Sequence, residues 1–245
     1  MQPRAREAGS FHSVMSSTGP QRPGAGDRNA NDSDAGAGRA ALQPRARATR
    51  LAILTAAAEH FGRNGYHATS LDSVLADSGG TKGALYFHFD SKEALARAVI
   101  AEMVQRWADL RGQVSHPGLD PLEALLALVD EVIRRLIEDP IARGGTRLLN
   151  DLPRSAQDAG GHYGCGERDA AALLAEAAQA GLLREGIDPA LVARQIVALV
   201  TGHRQICDAV EDRLSLRQRI DEAWTFLLPS IATDAWLASW RAAHP

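Results

Sequence analysis

The sequence predicts an all-α protein in which a small N-terminal three-helix domain, carrying a helix-turn-helix, precedes a larger helical domain. Three observations predict it. Ala, Leu, Glu and Arg dominate, and no stretch alternates apolar and polar residues with the period of a strand. Helix starts are written out as Asp120-Pro121, Asp139-Pro140 and Asp188-Pro189, each an N-cap followed by an N1 proline. Two short stretches with apolar faces flank Gly79-Gly80, a pair that tolerates left-handed backbone and so ends one helix before the next begins. At 245 residues the chain is long enough for a small domain and a larger one with its own core.

Residues 1–44 are rich in Gly, Ala, Ser, Pro, Asn, Asp and Arg and have almost nothing apolar to bury, so they are expected to be disordered. The three-helix domain is expected over 45–92. Its first helix spans about 46–63, with Leu51, Ile53, Leu54, Ala57, Ala58 and Phe61 inward and Gly65 as its stop. Arg45, Arg47 and Arg50 lead into it as a basic arm suited to a phosphate backbone. Thr69 or Ser70 caps the second helix, which buries Leu71, Val74 and Leu75; Asp72, three residues after Thr69, is placed for a capping box. Thr81 caps the third, with Leu85 inward and Lys82, Ala84, Tyr86 and His88 outward.

That third helix has the chemistry of a DNA reader. Thr81 and Lys82 bring a hydroxyl and an ammonium to a helix N-terminus, where backbone N–H groups already favour phosphate. Gly83 and Ala84 are small enough to let backbone approach base edges, and Tyr86 and His88 can donate to phosphates at the edge of the footprint. Lys92, in the first turn of the next helix, and Thr69 can reach phosphate as well. Lys82 and Lys92 are the two lysines among 27 basic residues.

The larger domain is expected over 93–245. Its helices are read at about 91–112, with Leu95, Val99, Met103 and Trp107 on one face, then at 121–138 and from Asp139 onward. A glycine-bearing loop is expected over 151–164, followed by a helix at about 167–180 that ends at Gly181. Helices at 189–210 and 214–231 carry an apolar face wider than one core demands, including Ile196, Leu199, Val200, Ile220 and Trp224. Trp236, Leu237 and Trp240 close the chain and are expected to pack on the body.

The net charge of −3 does not advertise a nucleic-acid binder, so the case for DNA rests on local chemistry. No Gly-x-Ser-x-Gly, His-Glu-x-x-His, phosphate loop or Cys-x-x-Cys is present, and the histidines are scattered. Catalytic residues, metal ligands and cofactors are therefore not expected. Cys165 and Cys207 lie far apart, no apolar run reaches the ~20 residues of a membrane span, and no signal-peptide core opens the chain, which fits a reduced cytoplasmic protein.

Thr81-Lys-Gly-Ala-Leu-Tyr-Phe-His-Phe-x-Ser-Lys-Glu93 resembles the DNA-binding signature of the TetR (tetracycline repressor) family, and Gly65-Tyr-x-x-Thr69 resembles the link that precedes it. Phe87-His88-Phe89 and Asp139-Pro-x-x-Arg-x-Gly-Thr-Arg-Leu148 are most similar to the γ-butyrolactone receptors of Streptomyces. The resemblance implies a homodimeric repressor that holds a double-stranded operator and leaves it when a small effector binds, without a membrane. It implies a nucleoid-associated protein when on DNA, with Ile196, Leu199, Val200, Ile220 and Trp224 in the dimer interface. It also implies an effector pocket, for which Trp107, Val129, Ile133, Thr146, Leu149 and Tyr163 are candidates, since a lactone needs one or two donors in an apolar cavity.

Two departures stand out. Gly80 occupies a position usually held by Val or Leu in relatives, which removes a core side chain from the turn. A tryptophan usual in the pocket wall of the receptors falls at about Gly166, and no tryptophan lies between Trp107 and Trp224. Tyr163 or Cys165 is placed to substitute in part. The competing readings are a receptor-like regulator (pseudo-receptor) answering an antibiotic or other ligand, and a protein-interaction module that has lost DNA binding.

Overall fold

A computed structural model describes residues 32–108, 110–114, 118–152, 156–210 and 212–243. Among them all regular structure is helical: α1 Asp32–Ala68, α2 Leu71–Ser78, α3 Lys82–His88, α4 Lys92–Ala108, α5 Leu110–Val114, α6 Pro121–Glu138, α7 Pro140–Asp151, α8 Ala156–Gln179, α9 Pro189–Ala209, α10 Ser215–Ile231 and α11 Asp234–Ala243. The disorder expected for residues 1–31 falls outside the described residues. Over 32–44 the backbone is helical, with Pro44 inside α1.

Gly65 breaks the helical path of α1 at φ 78°, where a left-handed residue is needed, and so provides the stop read from sequence. Thr69 follows as a buried residue whose hydroxyl donates to Gly65 O at 2.8 Å. Ser70, not Thr69, caps α2 by accepting from Ser73 N at 3.1 Å, so Asp72 falls one position short of a capping box. Gly79 ends α2 at φ 65°, and Thr81 Oγ1 starts α3 by accepting from Ala84 N at 3.1 Å. Ser91 caps α4 in the same way, through Ala94 N at 3.0 Å.

Two apolar cores result. The smaller joins Ile53, Leu54 and Phe61 of α1 to Val74, Leu85, Phe89 and the Leu95, Val99 and Met103 face of α4, with Ile141 and Leu148 of α7 completing it. The larger is shared by α6, α8, α9, α10 and α11. Trp107, near the end of α4, packs against both.

A glycine pair decides how tightly α7 joins the smaller core. A Cβ on Gly144 would stand 2.4 Å from Ala58 O of α1, and one on Gly145 would stand 2.6 Å from Met103 Sδ of α4. Only hydrogen side chains permit that approach. Nearby, Asp151 at the end of α7 accepts from Tyr66 N at 2.8 Å, a second tie to the α1 terminus.

The Asp-Pro starts form as predicted. Asp120 accepts from Leu122 N and Glu123 N at 2.8 and 2.9 Å while Glu123 Oε2 accepts from Asp120 N at 2.9 Å, a complete capping box. The other carboxylate oxygen of Asp120 accepts from Trp236 Nε1 at 2.7 Å, and Trp236 stacks on Trp240, which docks α11 on the body as expected. One expectation fails. Residues 156–164 are helical and belong to α8, so the glycine-bearing loop is much shorter than read from sequence; Gly160, Gly161, Gly164 and Gly166 lower helix propensity without breaking the helix.

Candidate nucleic-acid interface and small-molecule cavity

The helix-turn-helix presents most of its predicted reader side chains to solvent. Thr81, Lys82 and Gly83 are exposed, Tyr86 is exposed beside them, and Ala84 and His88 are half-buried. A Cβ on Gly83 would meet nothing closer than Thr81 Oγ1 at 3.9 Å, so the outer face of α3 is open to a groove. Arg50 is exposed and places its guanidinium 5.4 Å from the Phe89 ring centroid, a cation–π contact that holds the arm beside the end of α3.

Two predicted phosphate contacts are engaged elsewhere. Thr69 is 3% exposed, its hydroxyl spent on Gly65 O, so it fastens the α1 terminus instead of facing DNA. Lys92 donates from Nζ to His67 O at 3.1 Å and lies 4.7 Å from the Tyr66 ring centroid. It straps the α1–α2 link to α4, which its four-carbon stem is long enough to span. Phe87, by contrast, is 80% exposed on α3 and stacks edge-on against His88, although it was not singled out. Its position two residues after the inward Leu85 was the signal, since such a spacing turns a side chain away from the core.

Gly80 behaves as its departure from the signature implies. A Cβ there would lie 3.2 Å from Ser78 Oγ and 3.5 Å from Ile53 Cγ1, so a larger side chain would face the core once the Ser78 hydroxyl gives by a few tenths of an ångström. The glycine N–H is satisfied by Ser78 Oγ at 3.2 Å.

In the body, α4, α6, α7, α8 and α9 enclose a cavity of about 130 Å³. Four of the predicted pocket residues, Trp107, Val129, Thr146 and Tyr163, line it. Thr146 is buried, and its hydroxyl donates back to Ala142 O at 2.8 Å, which leaves it able to accept a bond from a guest. The other two do not line it: Ile133 is buried in the larger core and Leu149 in the smaller one. Gly166 lies in the wall, and a Cβ on it would meet Val197 Cγ2 at 3.6 Å. The place counted out for the missing tryptophan is therefore at the cavity.

Sequence reasoning missed Asp169, Thr201 and Arg204, three polar residues of the lining. Arg204 is 6% exposed and pairs through Nη1 with Asp208 at 2.7 Å. Its spacing of four from Asp208 reads in sequence as a solvated i,i+4 surface pair, which is why it drew no attention.

The proposed interface residues divide. Ile196 and Ile220 are buried within the subunit, while Leu199, Val200 and Trp224 are half-buried in a crevice between α9 and α10. A partner cannot reach the first two, since α9 and α10 pack on each other through them. The exposed apolar residues of the pair are instead Leu191, Ile206, Val210, Leu214 and, at 81% exposure, Phe226.

A helix-turn-helix head fused to a helical body with an internal cavity defines the class, a small-molecule-responsive transcriptional regulator. The family model of bacterial regulatory proteins, tetR family, matches residues 53–99, from α1 through the first half of α4. The A-factor receptor protein of Streptomyces griseus is 36% identical over 200 residues, covering 81% of this chain and 69% of that protein. CprB of Streptomyces coelicolor, solved in complex with its biological operator sequence, aligns with a TM-score of 0.67 at 30% identity, covering 80% of this chain and 94% of that one. A γ-butyrolactone receptor, an ArpA-like protein, aligns with a TM-score of 0.66 at 31% identity over 78% and 92% of the two chains.

The chain belongs to the TetR family of bacterial regulatory proteins. It is a TetR-type DNA-binding repressor that responds to a small molecule. Among the described residues, no helix is long and apolar enough to cross a membrane.

Proposed function

We propose that two copies of this chain pair through α9 and α10, seat their α3 helices in successive major grooves of an operator, and leave it when a γ-butyrolactone-like signal enters the cavity. The observation that carries this reading is Trp107. It lines the cavity and packs against the core of the head, so a guest that displaces it acts on α4, which also buries Leu95 and Val99 behind α3. Half-sites must lie ~34 Å, one turn, apart or a multiple of it, so a modest shift of each head is enough to lose both.

The head is assigned to 45–92 and the body to 93–245. Lys82, Tyr86, Thr81, Gly83, Ala84, His88 and Arg50 form the DNA face, with Phe87 added to it. The exposed residues Ile206, Val210, Leu214 and Phe226 form the partner-facing strip in place of Ile196 and Ile220. The protein acts as a regulator and not as an enzyme, in the cytoplasm and on the nucleoid.

A second reading has its own observation. Gly166 leaves the cavity wall without the expected indole, which favours an effector other than an ordinary γ-butyrolactone, as in a pseudo-receptor. Gel shifts with DNA from the protein's own promoter region, repeated with lactones and with antibiotics, test both. Retardation at low salt and release by a lactone is the expected result. Release by an antibiotic alone selects the second reading, and no retardation at low salt refutes the first and the second together.

A further inference from the structure

On α3, Phe87 is 80% exposed while Leu85, two residues earlier, is fully buried. At 3.6 residues per turn, the residues two positions either side of Leu85 stand about 160° around the helix from it. Gly83 and Phe87 therefore form the ridge of α3 farthest from the core, with Ala84 and Tyr86 on its flanks. Gly83 brings no side chain to that ridge, and a Cβ built on it has only Thr81 Oγ1 within 4 Å, so the Phe87 ring is not folded back over it. The ring meets His88 edge-on instead, at 5.1 Å between centroids and 78° between planes, and the rest of it stands in solvent.

The chemistry of a phenyl group narrows what such a ridge can touch. It has no donor or acceptor, so it can neither bond a phosphate oxygen nor read the nitrogens and oxygens of a base edge. It gains by leaving water against another apolar group. The major groove is wide enough to take a helix, and among its base edges it presents one methyl group, on C5 of thymine. With no side chain at Gly83, the backbone of α3 can sit close enough to the base edges for the ring, four residues on, to reach that methyl. The groups suited to phosphate are beside the ridge, where Lys82 and Tyr86 are exposed with polar ends.

We infer that Phe87 is a sequence-reading residue that packs its ring on the C5-methyl of a thymine in each half of the operator, and so distinguishes thymine from a base that lacks the methyl. This rests on the reading of α3 as the helix that enters the major groove, and it goes further by giving base selection to a side chain without a polar atom.

The test is a gel-shift titration of the full chain with DNA from its own promoter region, prepared in two forms that differ only in deoxyuridine for every deoxythymidine. Burying one methyl is worth about fourfold in affinity, so a dimer with two such contacts should hold the uracil form roughly fifteenfold more weakly. Phe87→Ala should remove most of that ratio by weakening binding of the thymine form, and Phe87→Leu, still apolar, should keep most of it. Because the ring is exposed, neither change should lower the melting temperature. Equal affinity of the unaltered protein for the two forms overturns the inference without any variant. A ratio unchanged in Phe87→Ala overturns it too, since the methyl contacts then belong to other residues, and so does an equal loss on both forms, which puts the ring against sugar. If the thymine form is retarded at low salt with no dependence on the methyl, the inference falls alone and the operator reading stands; if the thymine form is not retarded, both fall.

Discussion

The head and the cavity are built from the same few residue types and differ in how completely their polar groups and space are used. In the head, Ile53, Leu54, Phe61, Val74 and Leu85 are fully buried, and the one buried polar side chain of the turn, Thr69, is closed on Gly65. In the body, α4, α6, α8 and α9 pack on one another yet leave a cavity of about 130 Å³. Dense packing transmits displacement because it has no compliant gap to absorb it. A sensor needs the reverse, a vacancy whose filling is favourable. The two regions meet along α4, and the contrast between them can be tested by stiffening one, filling the other and unloading the surface.

The largest effect is expected at the joint. Gly144→Leu puts side-chain atoms against the Ala58 backbone and should cost about 3 kcal/mol or more by urea denaturation. The control is Gly83→Ala, whose new methyl has open space; it should gain up to ~1 kcal/mol of helix propensity while weakening operator affinity, and a loss of stability there would show that α3 is packed, not open.

Next comes the cavity. Gly166→Trp places an indole in the wall, and by burying apolar surface it should improve the response to γ-decalactone by about 1 kcal/mol, read as the concentration that releases promoter DNA. An unchanged release curve places the effector elsewhere.

At the DNA face, Lys82→Ala and Tyr86→Ala should each weaken operator binding by roughly 1 kcal/mol with melting temperature unaltered, since both side chains are exposed. Lys82→Ala should also reduce the slope of log affinity against log salt by about one.

The smallest effect lies on the outer face of α6. Glu131 accepts from Arg134 at 2.6 Å and from Arg135 at 2.8 Å. The hydrogen bond from Arg134 is the main cause that holds its carboxyl at about 2, below the ordinary 4.5, while burial pushes the other way. A carboxylate lowered on folding stabilises the protein above its unfolded value and loses that contribution as pH falls from about 5 toward 2. Arg134 is half-exposed, so solvent screening keeps the contribution under about 1 kcal/mol. Glu131→Gln should therefore be slightly less stable than the parent at neutral pH, with the difference closing on acidification; a gap that widens would reverse the assignment.

Which parts were legible follows from the range of the forces involved. Caps act within four residues, so Thr81, Asp120 and Asp188 were readable as helix starts. The head's reader face followed from the same local spacing. The partners of Lys92 and Thr69, His67 O and Gly65 O, were not legible because they depend on how α1 turns at Gly65. The start of α8 was hidden behind four glycines, whose low helix propensity reads as loop. Arg204 could not be found at all from sequence, since only the fold brings it to the same space as Trp107 and Asp169.

The seating of Gly145 on Met103 gives α4 the proportions of a lever. Met103 is four residues from Trp107 and eleven from Lys92, or roughly 6 Å and 16 Å along the axis at 1.5 Å per residue. Were α4 to turn as a stiff rod about that contact, a displacement at the indole would be multiplied nearly threefold at the tip that carries Lys92.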